Sequence, residues 1–511
     1  MPNQMNFDKT NEPVSSSLEY NLAQMRVLFR MPRNMDMVIR RVTVSDFSTA
    51  LLFIDGMVST QTINLHVLEP MLQASPYTGD PTGRVEWLSS AILTTAGVHI
   101  REQMDDAVAF LLKGDTIVFV DGCASAIVID AKGFPKRNVG QPINETVIVG
   151  PHEAFVETMK DNIVLVRRIL QSPRLVAEQH TLGTMMQTSC SVLYLDGVAN
   201  EGMLAELRRR LSNLNIDFVM TAGELEQLIE DAPFALFPQL LRTERPDRTA
   251  SFLVSGMAVI FVDGSPVALS VPATFTHLTH TPELNTMRFP YGSFKGLLIT
   301  FGLFVSTCLP ALYLSVIMFH NEVLPLALIT SIFETQSRVP IPMLYELIFL
   351  NIGFDLIMEA GARMPGVLSN GLGVVSVLIL GQAVVAADLV SPLMIIVVAV
   401  CGLGSLIVPE YSMSIGIRMT QALLILVTAV GGLYALLLVG IVLGTELCMM
   451  ESMGVPFLWP HTPNRMGNPD IFVRYPIWMQ RIRHYLSNPG KLFRSIGPMR
   501  RWEGGDETDE Q

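Results

Sequence analysis

Residues 114–122 read GDTIVFVDG, and residues 256–264 read GMAVIFVDG. One chain of 511 residues thus writes an apolar strand closed by Asp-Gly twice. An Asp at a strand end serves either as a catalytic acid or as a turn residue, and the flanks decide between the two. DAVAFLLKGDTIVFVDG (Asp106–Gly122) aligns with RTASFLVSGMAVIFVDG (Arg248–Gly264) at a constant offset of 142. Phe110, Leu111, Gly114, Phe119, Val120, Asp121 and Gly122 recur as Phe252, Leu253, Gly256, Phe261, Val262, Asp263 and Gly264. LLFIDG (Leu51–Gly56) aligns with VLYLDG (Val192–Gly197) at an offset of 141. Two anchors at nearly one offset mark an internal duplication.

Each copy follows one pattern. A strand ends in Asp-Gly, and an amphipathic helix such as GMLAELRRRLSN follows. A second helix ends at Gly114 or Gly256, where a C-terminal glycine belongs. A strand then runs into the second Asp-Gly, and only a tight turn separates it from a further apolar strand. Asp55, Asp121, Asp196 and Asp263 are therefore read as turn residues. An aspartyl-phosphate or magnesium site would need partners such as a phosphate-binding loop, and the sequence carries no GxxxxGK[ST]. The predicted fold class is an α/β cytoplasmic half made of two duplicated α/β subdomains, followed by an α-helical transmembrane domain. The expected boundaries are a disordered lead at 1–39, a first subdomain at 40–150 and a linker helix at 151–184. A second subdomain at 185–290, a transmembrane domain at 291–450 and a basic, then acidic, tail at 451–511 complete the chain.

The soluble half carries no GxSxG or HExxH. His277 and His280 form HxxH without a further ligand cluster. Cys123, Cys190, Cys308, Cys401 and Cys448 are scattered and read as reduced thiols. No enzyme activity, metal or cofactor is expected. The net charge of −12 argues against nucleic acid as a partner. GPHEAFVETMKDNIVLVRRIL (Gly150–Leu170) reads as a helix with acids first and arginines last, which suits the helix dipole. FPQLLRTERPDR (Phe237–Arg248) packs Arg242, Glu244, Arg245, Asp247 and Arg248 together. It reads as a surface ion-pair cluster or as a contact to another subunit.

Charge divides the chain. Residues 1–290 hold 23 Lys+Arg and 32 Asp+Glu, residues 291–450 only 4 and 8, and residues 451–511 hold 8 and 7. A nearly charge-free stretch of this length signals membrane. Candidate spans are Ser293–His320, Val367–Ala387, Ser391–Val408 and Gly416–Met450. The last is one tilted helix or two short ones broken at Gly431-Gly432. Ile341–Gly366 carries Glu346, Asp355, Glu359 and Arg363. It is either an amphipathic helix on the interface or one facing a wet cavity. The start is polar with no secretory signal, and the stretch from Glu451 to Arg501 is basic. Both ends are therefore expected in the cytoplasm. Four crossings, with 341–361 on or in the membrane, fit best, and six come next.

GPHEAFVETMKDN, FPQLLRTERPDR, VFVDGSPVALSVPATF, EAGARMPG, Gly381-Gln382-Ala383, LVSPLMIIVVA and SMGVPFLWPHTP resemble the A-subunit family of bacterial spore germination receptors. That family includes the stage V sporulation protein AF branch. The resemblance covers about 40–465. It implies an integral protein of the spore inner membrane, with its N-terminal half and tail on the core side. It implies a transporter-like B subunit and a lipoprotein C subunit as partners. It further implies self-association into a ring, a pentamer, around a nutrient-gated ion pore. On that footing Val367–Ala387, the helix densest in small and polar residues, is expected to line the pore through Asn370, Gly373, Val377, Gly381 and Val384. Val377 and Val384 are the expected gates. A non-conducting scaffold subunit is the alternative.

Overall fold

The twin strands are apolar over Ile117–Val120 and Ala258–Val262 because both of their faces are covered. In the computed structural model, residues 12–134, 142, 145, 150–279, 287–363, 382–459, 462, 476 and 478 are described. The first sheet contains β1 (Met37–Val44), β2 (Phe47–Ile54), β3 (Val98–Arg101), β4 (Thr116–Val120) and β5 (Ala126–Ile129). Its order is β1-β2-β4-β5-β3, antiparallel throughout. Ile117 and Phe119 turn to one side, against α1 (Leu18–Leu28) and α2 (Met104–Leu111). Val118 and Val120 turn to the other, against short helical turns within 60–72 and 84–92. A period-two strand between two helical layers is buried on both faces and so favours apolar residues along its length. Full burial of a side chain such as Phe119 contributes roughly 1.5–3 kcal/mol.

The second copy repeats this order. Its strands are β6 (Leu175–Leu182), β7 (Thr188–Leu195), β8 (Leu241–Thr243), β9 (Ala258–Val262) and β10 (Ala268–Val271), ordered β6-β7-β9-β10-β8. Phe261 faces α3 (Met159–Ile169) and α6 (Pro246–Val254), as Phe119 faces α1 and α2. Ile260 and Val262 face α4 (Glu201–Ser212) and α5 (Ala222–Ile229). Register repeats as well, with Phe119 opposite Ala50 and Phe261 opposite Ser191.

All four Asp-Gly steps lie in four-residue turns. Met57, Cys123, Val198 and Ser265 donate their backbone N–H to Ile54, Val120, Leu195 and Val262. The glycine φ values are 81°, 85°, 74° and 87°, a conformation glycine adopts without steric cost. The carboxylates have further work. Asp121 Oδ1 accepts from Leu18 N at 3.2 Å and Asp263 Oδ1 from Met159 N at 3.0 Å, so each caps a helix of its own copy. Asp55 pairs with Lys160 at 2.9 Å and Asp196 with Arg30 at 2.8 Å, both across the two copies.

Two sequence expectations are corrected. The lead is not disordered across 1–39, since α1 seats Leu18, Leu22 and Met25 in the first core. Asn21 bonds the backbone of Ser15 in both directions, as Asn162 does that of Val156, so α1 and α3 are the same element of the repeat. The linker is not helical over 151–184. Its helix spans Met159–Ile169, and Leu175–Leu182 is an edge strand paired with β7 along all eight residues. Arg167 fastens the copies together, bonding Asp36, Asn34 Oδ1 at 3.2 Å and the Leu175 carbonyl at 3.0 Å.

The apolar half contains α7 (Phe289–Phe319), α8 (Leu326–Gln336), α9 (Met343–Arg363), α10 (Pro392–Leu406) and α11 (Tyr411–Met449). Two of these, α7 and α11, are long and apolar enough to cross a membrane. Helix α7 continues through Pro310. Helix α11 does not run straight. Gly432, at φ 58° and ψ −144°, interrupts it. A straight helix would set Met413 and Met450 about 55 Å apart at 1.5 Å per residue. Both instead lie in one buried cluster with Leu241 and Phe252 of the second subdomain. The chain therefore reverses at Gly432, which resolves the Gly431-Gly432 alternative in favour of two short helices.

Asp263→Ala is expected to release the cap of α3 while leaving the sheet intact. Loss of about 1 kcal/mol corresponds to roughly five-fold faster amide exchange across 159–163, read by hydrogen–deuterium exchange of the full chain.

Candidate functional site

FPQLLRTERPDR folds as β8 followed by the first turn of α6, which Pro246 opens at the position where a missing N–H costs nothing. Of its charges, Arg245 and Arg248 lie below the surface, while the Arg242 side chain is 43% exposed. Arg248 is only 3% exposed and Arg245 only 5%. Arg245 Nη2 reaches Asp247 Oδ2 at 2.6 Å, and Arg242 pairs with Glu226 of α5. Arg248 Nη1 pairs with Glu145 Oε1, and lies 3.6 Å from Glu410 Oε2. Glu145 is fixed on its other side by Thr243 Oγ1 at 2.7 Å and by Glu244 N at 3.2 Å. Arg248 also lies over the Phe252 ring, 5.3 Å from its centroid. Its Nε and Nη2 find no acceptor among the described residues.

Glu410 is the N-cap residue of α11 and is 6% exposed. Burial pushes its carboxyl up to about 7. Arg248 and Arg242 oppose that rise, and Glu145 and Glu226 add to it. Apolar packing surrounds this charged seam. Leu241, Phe252, Met257 and Leu278 of the second subdomain share a core with Val408, Met413, Ile417 and Phe457. Ser452 Oγ donates to the Gln239 carbonyl at 2.6 Å and accepts from Ala273 N at 3.0 Å. Both ends of α11 are thus seated on the second subdomain.

A cavity of about 210 Å³ opens between α9, α10 and α11. Asn351, Asp355, Ser405, Arg418 and Gln421 supply its polar lining, and Phe354 and Ile425 its apolar wall. Arg418 Nη1 meets Asp355 Oδ1 at 3.0 Å, and Gln421 Nε2 donates to Asn351 Oδ1 at 3.0 Å. Glu346 is fully buried near the other end of α9, where Ser391 N and Gln336 Nε2 donate to its carboxylate.

The family model described as Bacillus/Clostridium GerA spore germination protein matches residues 24–486. The chain belongs to the GerA spore germination protein family. It is 31% identical to "Spore germination protein KA" of Bacillus subtilis (strain 168), over 92% of this chain and 86% of that protein. It is 30% identical to "Spore germination protein GerLA" of Bacillus cereus, over 90% of this chain and 94% of that one. It is also 30% identical to "Uncharacterized membrane protein YfkQ" of Bacillus subtilis (strain 168), over 96% and 94%. A crystal structure of the N-terminal domain of the A subunit of the Bacillus megaterium spore germinant receptor GerK3 shares 29% identity. It covers 52% of this chain and 99% of that one with a TM-score of 0.42, a likeness too low to argue from.

Within this GerA chain the expected site residues fall into three groups. Arg242, Arg245, Asp247 and Arg248 gather at the seam, with Glu244 contributing its backbone N–H. Asp355 lines the cavity, and Glu346 and Glu359 lie on the same helix, as does the backbone of Arg363. Asn370, Gly373, Val377 and Gly381 lie outside the described residues. Val384 is 8% exposed and belongs to the cluster that holds Leu314, Leu347 and Met394. His277 is buried beside Thr274 Oγ1, 3.0 Å from its Nδ1, and His280 lies outside the described residues. Sequence reasoning missed Glu145, Glu410, Arg418, Asn351 and Gln421. The one available signal was charge on an otherwise apolar stretch, which marks Glu410 and Arg418.

Arg248→Ala would leave the buried Glu410 and the partly buried Glu145 without the cation they share. A loss of about 3–5 kcal/mol is expected, read as a lower unfolding temperature of the full chain in detergent. Arg338→Ala is the control, since its pair with Glu334 is exposed and 3.8 Å long, and no measurable change is expected there.

Proposed function

We propose that the chain is a membrane subunit of a spore germinant receptor. It acts in nutrient-triggered germination as a homo-oligomeric, nutrient-gated ion channel. The observation that carries this reading is membership of the GerA family over residues 24–486, together with apolar helices that hold a paired charge beside a cavity. The proposal includes the spore inner membrane as its site and a transporter-like B subunit and a lipoprotein C subunit as partners. A ring of copies, five in number, would surround the pore. Residues 367–387 remain the proposed pore lining, through Asn370, Gly373, Val377, Gly381 and Val384. The packing of Val384 in the helix cluster makes Val377 the better proposed gate of the two.

Six passes suit this reading better than four. Glu346 near the start of α9 meets Ser391 at the start of α10, whereas Asp355 further along α9 meets Arg418 near the start of α11. Helices α9 and α10 therefore run the same way, away from the end where Glu346 lies. On this reading the return pass is the proposed span 367–387. The reversal at Gly432 adds the remaining pass.

Ion flux through liposomes carrying the purified chain, with cysteine placed singly at 370, 373, 377, 381 and 384, tests the reading. Conductance blocked by thiol reagent at a periodic subset of positions is the expected result. A chain that folds and inserts but conducts nothing, alone and with its receptor partners, would instead be a scaffold subunit.

A further inference from the structure

The seam contains more acid than base at its centre. Glu145, held by Thr243 and Glu244, and Glu410, at the head of α11, both face one guanidinium. Arg242 cannot make up the difference, because it is already paired with Glu226. The charged groups around Glu410 are therefore Arg248 from α6, Glu145, Glu226 from α5 and Arg242 from β8. Glu145 has the close contact with Arg248, and Glu410 stands off at 3.6 Å. Two further Arg248 nitrogens, Nε and Nη2, point at no acceptor among the described residues although the side chain is 4% exposed. The guanidinium thus has spare donors and two claimants, an arrangement that can settle in more than one way.

We propose that Arg248, Glu145 and Glu410 form a proton-set latch between the second α/β subdomain and α11. With Glu410 protonated, Arg248 belongs to Glu145 and the first turn of α11 stays seated. With Glu410 ionised, it and the partly buried Glu145 compete for one cation, and the turn is eased off α6. The positive end of the α11 dipole favours the ionised form, and Glu145, Glu226 and burial oppose it. Burial, with Glu145 and Glu226, outweighs Arg248 and Arg242 and raises the Glu410 carboxyl to about 7. Sign follows from linkage. A carboxyl whose folded value lies above its unfolded one holds its proton more tightly when folded. Its contribution is thus complete in acid and is lost as pH rises from about 4.5 to about 7. The latch needs no ion flux for its readout, so it stands or falls apart from the channel reading.

Hydrogen–deuterium exchange of the full chain in detergent, corrected for intrinsic exchange, at about pH 6 and about pH 8 tests it. Protection of peptides spanning 408–418 and 241–250 is expected to fall at least about five-fold between the two, with a midpoint near pH 7. Glu410→Gln is expected to keep the acid-side protection at both pH values. Glu145→Gln gives Glu410 sole claim on Arg248 and is expected to move the midpoint downwards. A purely structural seam would not shift in that way. Equal wild-type protection at both pH values would overturn the latch, as would a pH response surviving in Glu410→Gln. So would a Glu145→Gln midpoint that stays or rises. Should Glu410→Gln lose its sheet protection at 258–271, the wild-type and Glu145→Gln curves decide alone.

Discussion

Arg248 stands between two carboxylates that belong to different halves of the molecule, and the apolar helices are placed by that meeting. Glu145 and Thr243 are parts of the α/β half, and Glu410 opens α11. A buried arginine requires anions, and buried anions require the arginine. The apolar core beneath, from Leu241 to Met413 and Met450, supplies non-directional attachment. The charged groups supply register, because a guanidinium accepts few geometries.

The reversal of α11 follows from this seam. Its N-terminal end is held at Glu410, and its C-terminal end by Ser452 on the Gln239 carbonyl and the Ala273 N–H. A chain of this length tied at both ends to one subdomain must double back. Gly432 supplies the backbone conformation that allows it, and Phe319 at the end of α7 fills the space where a side chain would stand. Movement of the second subdomain is consequently coupled to two helices and not to one.

The α/β half was legible because its repeat is written in turn residues and all-apolar strands. Asp121 and Asp263 keep their places since each both turns a strand and caps a helix. The first helix escaped notice because LEYNLAQMRVL and MKDNIVLVRRI share little beyond Asn21 with Asn162 and Arg26 with Arg167. The seam was not legible. Three arginines and two acids in a dozen residues look like a solvated surface, and burial is a property of what packs on them. Their partners lie 103 residues before Arg248, at Glu145, and 162 after it, at Glu410. The charges of α9 were found, but sequence could not show that Asp355 meets Arg418 across a cavity.

The distance between the two ends of α11 tests the account most directly. Spin labels at Tyr411→Cys and Met449→Cys, in a background without other cysteines, would be measured by pulsed electron–electron resonance in reconstituted liposomes. Both ends on one subdomain predict a separation well under about 30 Å, against roughly 57 Å for an unbroken helix of that length. A distribution centred near the longer value would contradict the seam, the reversal at Gly432 and the coupling drawn from them.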